Sequence, residues 1–233
     1  MKVFAHIGAR GGSKGLKNKN ILKLKNIPLI NWTINQVKKN KNIFKVVVSS
    51  DSNKIINISK KAGADILIKR PKKLSSSKAS KFSVWKHSLK ILLKKHKMNK
   101  EDIFFDLDCT CPLRKKTDID KILTDYKKKS KFAKIDGVIS VTEARKNPYF
   151  NLLEKNNKKF LKISKKLKKN IIRRQDAPKV YEHVASMYVL SPIYILKNYN
   201  LFQGKIIGYD VDPLTSLDID SINDLKIIKS LIK

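Results

Sequence analysis

Two hydrophobic periods alternate along this chain. Short, nearly continuous apolar runs predict buried strands, and they lie at residues 2–7, 44–50, 65–68, 103–107 and 137–141. Between them, apolar residues recur at helical spacing, which predicts helices at 29–39, 53–62, 80–95 and 118–128. Strands that alternate with helices are typical of an α/β fold with a mostly parallel sheet.

The pattern changes in the second half of the chain. Residues 147–188 are strand-like and rich in lysine, without a helical period. We interpret this stretch as an inserted or appended β-rich segment, for which dimerisation is one role. The earlier pattern then resumes with a late strand at 206–209 and a closing helix at 221–232, whose predicted N-cap is Ser221. We expect residues 1–233 to form a single domain.

Charge dominates the composition. The 233 residues include 53 Lys+Arg and 19 Asp+Glu, which gives a formal net charge of +34. A nucleic-acid partner is one interpretation, but nearly all the basic residues are lysines spread along the whole chain, whereas base readers favour arginine. We favour a solvated lysine background, whose field would still attract any anionic substrate.

The cysteines and the apolar runs bear on the compartment. Cys109 and Cys111 are too close together for a comfortable disulfide. No apolar run approaches the roughly 18 residues of a membrane span. These features predict a cytoplasmic protein with reduced thiols and no membrane association.

A glycine-rich loop at residues 9–20 follows the first predicted strand. Its glycines let the backbone turn sharply and approach a ligand with its N–H groups. Arg10, Lys14 and Lys19 add positive charge around the turn. The loop matches neither the Walker A pattern nor the dinucleotide fingerprint, but its position and charge predict a polyphosphate site.

Two carboxylates stand close together near the end of the chain. Asp218 and Asp220 are two residues apart on a predicted extended segment, so their side chains point the same way. Such a pair suits Mg²⁺ beside phosphates, although Asp-x-Asp alone is common in surface and capping roles. Together with the upstream loop, it predicts a metal clamp for nucleotide chemistry.

Several blocks, in order, resemble the CMP-sialic acid synthetase (acylneuraminate cytidylyltransferase) family. The family pattern Ala-Arg-x-x-Ser-Lys-Gly-x-x-x-Lys-Asn is matched at residues 9–20. Further matching blocks are Ser49-Ser50-Asp51, Arg70-Pro71 with Leu74, Thr110-Cys111-Pro112-Leu113-Arg114, Arg174-Gln175-Asp176-Ala177-Pro178-Lys179, and Asp218-Ile219-Asp220 with Asp224-Leu225. Leu107-Asp108 and residues 145–152 are most similar to the legionaminic acid cytidylyltransferases.

The resemblance implies a fold and a reaction. The expected fold is a doubly wound, mostly parallel sheet of the nucleotide-diphospho-sugar transferase type, with a small β-rich dimerisation arm within residues 142–188. The expected reaction joins CTP to a nonulosonic acid, giving CMP-nonulosonate and pyrophosphate in a homodimer that uses Mg²⁺ or Mn²⁺. The acid would be legionaminic acid or N-acetylneuraminic acid.

The resemblance also implies residue roles. Arg10, Lys19, Asp218 and Asp220 are the expected catalytic residues, and the two aspartates are the expected metal ligands. The expected nucleotide-binding residues are Ala9, Arg10, Gly12, Ser13, Lys14, Lys19, Asn20 and Arg70. The expected sugar-binding residues are Asp108, Arg174, Gln175 and Tyr188.

Two other functions stay open on the sequence alone. One is the related cytidylyltransferase that activates the eight-carbon sugar KDO, against which residues 145–152 and 218–224 argue. The other is a non-enzymatic, basic nucleic-acid-binding protein, which would leave the carboxylate pair unexplained. A sugar-side departure is Val184, which stands where the family typically places asparagine.

Overall fold

The computed structural model describes residues 1–12, 15–168 and 171–232. Its strands are β1 (Val3–Gly8), β2 (Lys23–Leu24), β3 (Ile27–Pro28), β4 (Lys45–Ser50), β5 (Ile66–Lys69), β6 (Ile103–Leu107), β7 (Gly137–Glu143), β8 (Leu153–Lys155), β9 (Leu161–Ile163), β10 (Tyr181–Leu190) and β11 (Ile206–Asp210). Its helices are α1 (Leu29–Lys38), α2 (Asn53–Lys61), α3 (Lys81–Lys95), α4 (Lys116–Ala133), α5 (Pro192–Lys197) and α6 (Ile222–Leu231).

Seven strands form the central sheet, in the order β11-β7-β10-β6-β1-β4-β5. Strand β10 runs antiparallel to both of its neighbours, while the other paired strands of this sheet are parallel. The predicted mostly parallel α/β sheet is therefore confirmed. Among the described residues, no helix has both the length and the apolar character needed to cross a membrane.

Helices cover both faces of this sheet. Alternate residues of β1 and β6 pack on one face with apolar residues of α1, α2 and α4. The side chains between them, such as Phe4 and Phe104, pack on the opposite face with α3 and α5. Because each buried strand feeds two cores, its sequence is a continuous apolar run rather than an alternating one. The expected doubly wound arrangement is present.

Two helices differ from the sequence-based expectation. Helix α4 begins at Lys116 and ends at Ala133, whereas we predicted 118–128. The lysines after residue 126 have good helix propensity, and the helix ends only where Lys134 adopts a left-handed conformation with φ of 48°. The short helix α5 was not predicted, although Ser191 caps it and Pro192 occupies its first turn.

The segment assigned to the arm contains two kinds of structure. Strands β8 and β9 pair only with each other, as an antiparallel hairpin outside the central sheet. Strand β10, by contrast, lies between β6 and β7 inside the sheet. Residues 142–188 thus leave the sheet and return to its centre.

Helix α6 begins with a reciprocal cap. The Ser221 hydroxyl accepts a hydrogen bond from the Asp224 N–H, and the Asp224 carboxylate accepts one from the Ser221 N–H. The same carboxylate accepts a hydrogen bond from the N–H of Asp220. The cap therefore ties the start of α6 to the carboxylate pair.

We predict that Ser221→Ala lowers the free energy of unfolding by about 1 kcal/mol, because the Asp224 N–H loses its acceptor. Urea denaturation followed by circular dichroism measures this change. Ser230→Ala is the matched control, since that exposed hydroxyl only donates to the Ile227 carbonyl in the last turn. Equal unfolding free energies for the two variants would contradict the capping role.

Candidate active site

A cleft of about 430 Å³ opens where β1 and β6 end. Within the sheet, β4 lies on one side of β1 and β6 lies on the other side, so the strand order reverses at β1. Ligands of open α/β sheets bind at such a reversal, outside the carboxyl ends of the strands. The fold therefore places this cleft where a ligand site is expected.

The glycine-rich loop lies along one side of the cleft and is held by its neighbours. The N–H of Ala9 donates to the Ser49 carbonyl at 3.0 Å, and the N–H of Gly11 donates to the Asp51 carboxylate at 2.9 Å. The Asn20 side chain donates to the Arg10 carbonyl at 3.0 Å. These contacts come from β4, from the residue after it and from the end of the loop itself.

The loop residues predicted to bind nucleotide differ in position. Arg10, Lys19 and Asn20 line the cleft. Ala9 is fully buried in the core, and Gly12 is exposed beside open space. Ser13 and Lys14 lie outside the described residues.

The carboxylate pair is held beside this loop by the residue between them. Ile219 is fully buried, and its N–H donates to the Thr110 carbonyl at 3.0 Å. Asp218 and Asp220 both line the cleft. The Lys19 ammonium lies 2.7 Å from the Asp220 carboxylate, which joins the loop to the pair.

Gly15 is the point of closest approach between the loop and the pair. A Cβ atom at this position would lie 2.7 Å from the backbone carbonyl oxygen of Asp220. Real Cβ atoms do not come so close to backbone, so any larger residue would separate the two segments. The glycine is thus a steric requirement at this contact.

The carboxylate pair fits a divalent cation. One Asp218 oxygen is buried and has no hydrogen-bond partner among the described residues. Within the same part of the chain, no three His, Cys, Asp or Glu side chains form a ready metal cage. Mg²⁺ does not need one, because one or two carboxylates suffice when phosphate oxygens and waters complete its shell.

Arg70 is a third cation of the cleft and lies beside the start of the loop. Its guanidinium is buried and donates to the Ser49 carbonyl at 2.9 Å and to the Ser49 hydroxyl at 3.3 Å. A Cβ at Gly8 would lie 3.1 Å from the Arg70 guanidinium, so the glycine leaves room for this side chain. Arg70 lines the cleft as expected from its predicted role.

A polar network on the cleft floor was not predicted. His6 lies 2.5 Å from one Asp106 oxygen, and the Lys81 ammonium lies 3.1 Å from the other. Lys81 also forms an ion pair with Asp108. The signal that could have revealed the network is Asp106, a carboxylate inside an otherwise apolar strand.

The charges of this network depend on one another. Burial opposes the charge on Lys81, but the carboxylates of Asp106 and Asp108 outweigh it and raise the pKa of Lys81. Burial would raise the pKa of Asp106, yet Lys81 and the hydrogen bond with His6 hold it at about 2. Burial and the nearby Asp106 raise the pKa of Asp108 despite Lys81. The network therefore contains a protonated lysine and two carboxylates whose pKa values are shifted in opposite directions.

Arg114 fixes the backbone on which Asp108 stands. Its buried guanidinium donates to the Asp108 carbonyl at 2.7 Å, to the Ser186 carbonyl at 2.9 Å and to the Ser186 hydroxyl at 3.0 Å. Residue 114 belonged to a recognised block but had no predicted role. Its contacts show that it joins the turn after β6 to β10.

The residues predicted to bind sugar are not brought together within one chain. Asp108 lines the main cleft. Arg174 and Gln175 line a separate hollow of about 290 Å³ beside Glu143 and Lys179. Tyr188 is buried, with its ring 4.3 Å from the Lys81 ammonium.

Val184 belongs to the interior. It is buried in the core cluster that also contains β1 and α1 residues. Its side chain is absent from the residues that line the cleft. The predicted sugar-side departure thus lies in the apolar core of this chain.

The site combines charges suited to one kind of chemistry. Arg10, Lys19 and Arg70 can bind phosphate oxygens, and the aspartate pair can hold a cation between them. The polar network on the cleft floor adds a hydrogen-bond acceptor at Asp108. Such an arrangement can bind and polarise a polyphosphate while a second substrate occupies the other part of the cleft.

Comparison with known proteins supplies an independent finding. A family model described as Cytidylyltransferase matches residues 5–232. The chain is 36% identical to "Post-translational flagellin modification protein B" of Campylobacter coli, over 100% of this chain and 95% of that protein. It is also 36% identical to the "CMP-N,N'-diacetyllegionaminic acid synthase" of Campylobacter jejuni, over 99% of this chain and 95% of that protein.

The fold is also similar to that of solved structures. One is a CMP:2-keto-3-deoxy-manno-octonic acid synthetase complexed with CTP, with a TM-score of 0.70. The match covers 100% of this chain and 98% of that one, at 14% identity. At that identity the likeness shows the fold alone.

We predict that Gly15→Ala weakens binding of pyrophosphate, used as a probe of the cation cluster, by about tenfold, which corresponds to a loss of about 1.4 kcal/mol of contact. The added methyl group would push the loop, and with it Lys19, away from Asp220. Isothermal titration calorimetry measures the affinity. Lys17→Arg is the control, because that exposed lysine of the same loop keeps its charge and does not line the cleft. Equal affinities of Gly15→Ala and the wild type would show that the close contact is irrelevant.

Proposed function

Because this chain belongs to the cytidylyltransferase family, we propose that it activates a nonulosonic acid of the legionaminic type with CTP, releasing pyrophosphate. The observation that carries the proposal is the ion pair between Lys19 and Asp220, 201 residues apart in sequence. It places the glycine-rich loop and the carboxylate pair on the same cleft. The name of the Campylobacter jejuni relative, a CMP-N,N'-diacetyllegionaminic acid synthase, supports the choice of acid.

The proposed reaction is a nucleotidyl transfer. The anomeric hydroxyl oxygen of the acid forms a bond to the α-phosphorus of CTP and gives up its proton to solvent. The bond between the α-phosphorus and the oxygen that bridges to the β-phosphorus breaks, and pyrophosphate leaves. Arg10 and Lys19 bind the triphosphate and stabilise the charge that develops on the departing pyrophosphate. Gly12, Ser13, Lys14 and Asn20 are the proposed loop contacts to the nucleotide, together with the backbone of Ala9.

The proposed metal role belongs to Asp218 and Asp220. Mg²⁺ or Mn²⁺ bound there would neutralise phosphate charge and lower the pKa of the attacking hydroxyl. The unpartnered Asp218 oxygen supports this assignment, since a buried acceptor without a partner is costly. Lys19 keeps Asp220 oriented toward the cleft before substrate arrives.

We predict that the wild type releases pyrophosphate from CTP only when a divalent cation and a suitable acid are both present. The panel contains legionaminic, neuraminic and pseudaminic acids and the eight-carbon acid KDO. Turnover with a nonulosonic acid supports the proposal. Turnover with KDO alone would contradict the proposal and favour the KDO-activating enzyme instead. If calorimetry showed no CTP binding in the presence of Mg²⁺, the proposal would fail altogether.

In the same assay, Lys19→Ala and Asp220→Ala should each lower kcat by at least about tenfold, since each removes stabilisation of the transition state. Lys17→Ala is the matched control, because that lysine of the same loop is exposed and does not line the cleft. Wild-type turnover in either test variant would refute that residue's assignment.

We further propose a homodimer formed through the β8–β9 hairpin. Leu153, Phe160 and Leu161 of this hairpin expose between 52% and 67% of their surface. Contiguous exposed apolar side chains of this kind mark an interaction surface. Arg174 and Gln175 line a hollow that is separate from the main cleft of their own chain. Dimerisation would place these two residues at the sugar site of the second copy.

We predict that Phe160→Asp converts the dimer to a monomer in sedimentation velocity, because a carboxylate would have to be buried at the interface. The acid's KM should rise in parallel. Phe132→Asp is the control, since Phe132 is 82% exposed at the far end of α4. A wild type that sediments as a monomer would contradict the proposed assembly.

A further inference from the structure

Four polar side chains form a continuous line of contacts from the sheet interior to the cleft, and we name them the floor network: His6, Lys81, Asp106 and Asp108. His6 and Asp106 are almost completely buried on neighbouring strands β1 and β6. The second ring nitrogen of His6 lies 3.0 Å from the Ser88 hydroxyl of α3. The inner end of the network is therefore anchored on three elements.

Lys81 is the link between the buried end and the cleft. An ammonium group has three N–H donors. Among the described residues, Lys81 donates a side-chain hydrogen bond to Asp108. Its ammonium also lies 3.1 Å from an Asp106 oxygen and 4.3 Å from the centroid of the Tyr188 ring. Lys81 also lines the cleft, and its ion pair with Asp108 is the contact through which we expect it to act on a ligand.

Asp108 is the outer end of the network. One of its oxygens contacts Lys81, and the other has no hydrogen-bond partner among the described residues. Its backbone is fixed on both sides, because its carbonyl accepts from Arg114 and its N–H donates to the Ser186 carbonyl. The side chain is 22% exposed and lines the cleft. A fixed carboxylate thus presents one free acceptor oxygen.

The surroundings of Asp108 make this acceptor selective. The cations of the cleft, Arg10, Lys19 and Arg70, attract anionic groups of a ligand. A carboxylate instead binds a hydrogen-bond donor and repels an anion. Residue 108 therefore distinguishes the cationic part of the cleft from a part that suits a hydrogen-bond donor.

We propose that Lys81 is a positioning residue that fixes Asp108 as the acceptor for an N–H donor of a substrate. The proposal rests on the proposed function, which supplies two sources of such a donor. One is the exocyclic amino group of cytosine, and the other is the amide of an acylated sugar acid. Both present the same chemistry to the Asp108 oxygen.

The first test compares Lys81→Met with wild type in the pyrophosphate-release assay. We expect the KM for one substrate to rise about tenfold or more, with kcat changed by less than about threefold, as for the loss of one charge-assisted hydrogen bond. A rise for CTP assigns the donor to the nucleotide. A rise for the acid assigns the donor to the amide if an analogue that keeps the hydroxyls but lacks the acylamino group shows no such rise, and an equal rise for that analogue would overturn the N–H assignment. Lys81→Arg should restore the wild-type KM. Lys90→Met, an exposed lysine of the same helix, is the control.

The second test is a double-mutant cycle with Asp108→Asn. If Lys81 acts through Asp108, Lys81→Met has no further effect on KM in the Asp108→Asn background. Additive effects, or unchanged KM values for both substrates in Lys81→Met, would overturn the proposal. An inactive wild type would refute the proposed function, whereas an active wild type with unaffected variants would refute only the role of Lys81.

Discussion

The hydrogen bond from the Ile219 N–H to the Thr110 carbonyl is the constraint on which the site depends. Ile219 is fully buried with Leu24 and Leu29, so the extended segment before α6 cannot move away from the sheet. Because side chains alternate along an extended segment, burying Ile219 turns its two flanking aspartates toward the cleft. The Lys19 ion pair and the close approach of Gly15 both follow from this placement.

The cleft has two parts that differ in the arrangement of their charged side chains. Its loop side carries cations and the aspartate pair, which together suit phosphates and a divalent cation. Its floor carries a lysine between two carboxylates, which is an unusual group to bury beneath an anion site. Such a network is costly to desolvate unless each member has partners, and here each has at least one. In the proposed role, the free energy that is lost in burying these charges serves to hold Asp108 in one position.

The hairpin of β8 and β9 extends the chain beyond its own core. Its apolar side chains have no place in the central sheet, and the hollow that contains Arg174 and Gln175 is separate from the main cleft. The proposed second copy would cover the hairpin and receive these residues. A binding site completed in this way would couple assembly to substrate recognition.

The sequence alone determined most of the local elements and pointed to the glycine-rich loop and the aspartate pair as a candidate site. Strand and helix positions follow from the hydrophobic period, and the loop at residues 9–20 carries its glycines and cations in one short stretch. Tertiary structure decided the rest. The insertion of β10 between β6 and β7 and the line from His6 to Asp108 depend on strand order, which no local pattern encodes. His6 and Asp106 are 100 residues apart, and only the pairing of β1 with β6 makes them neighbours.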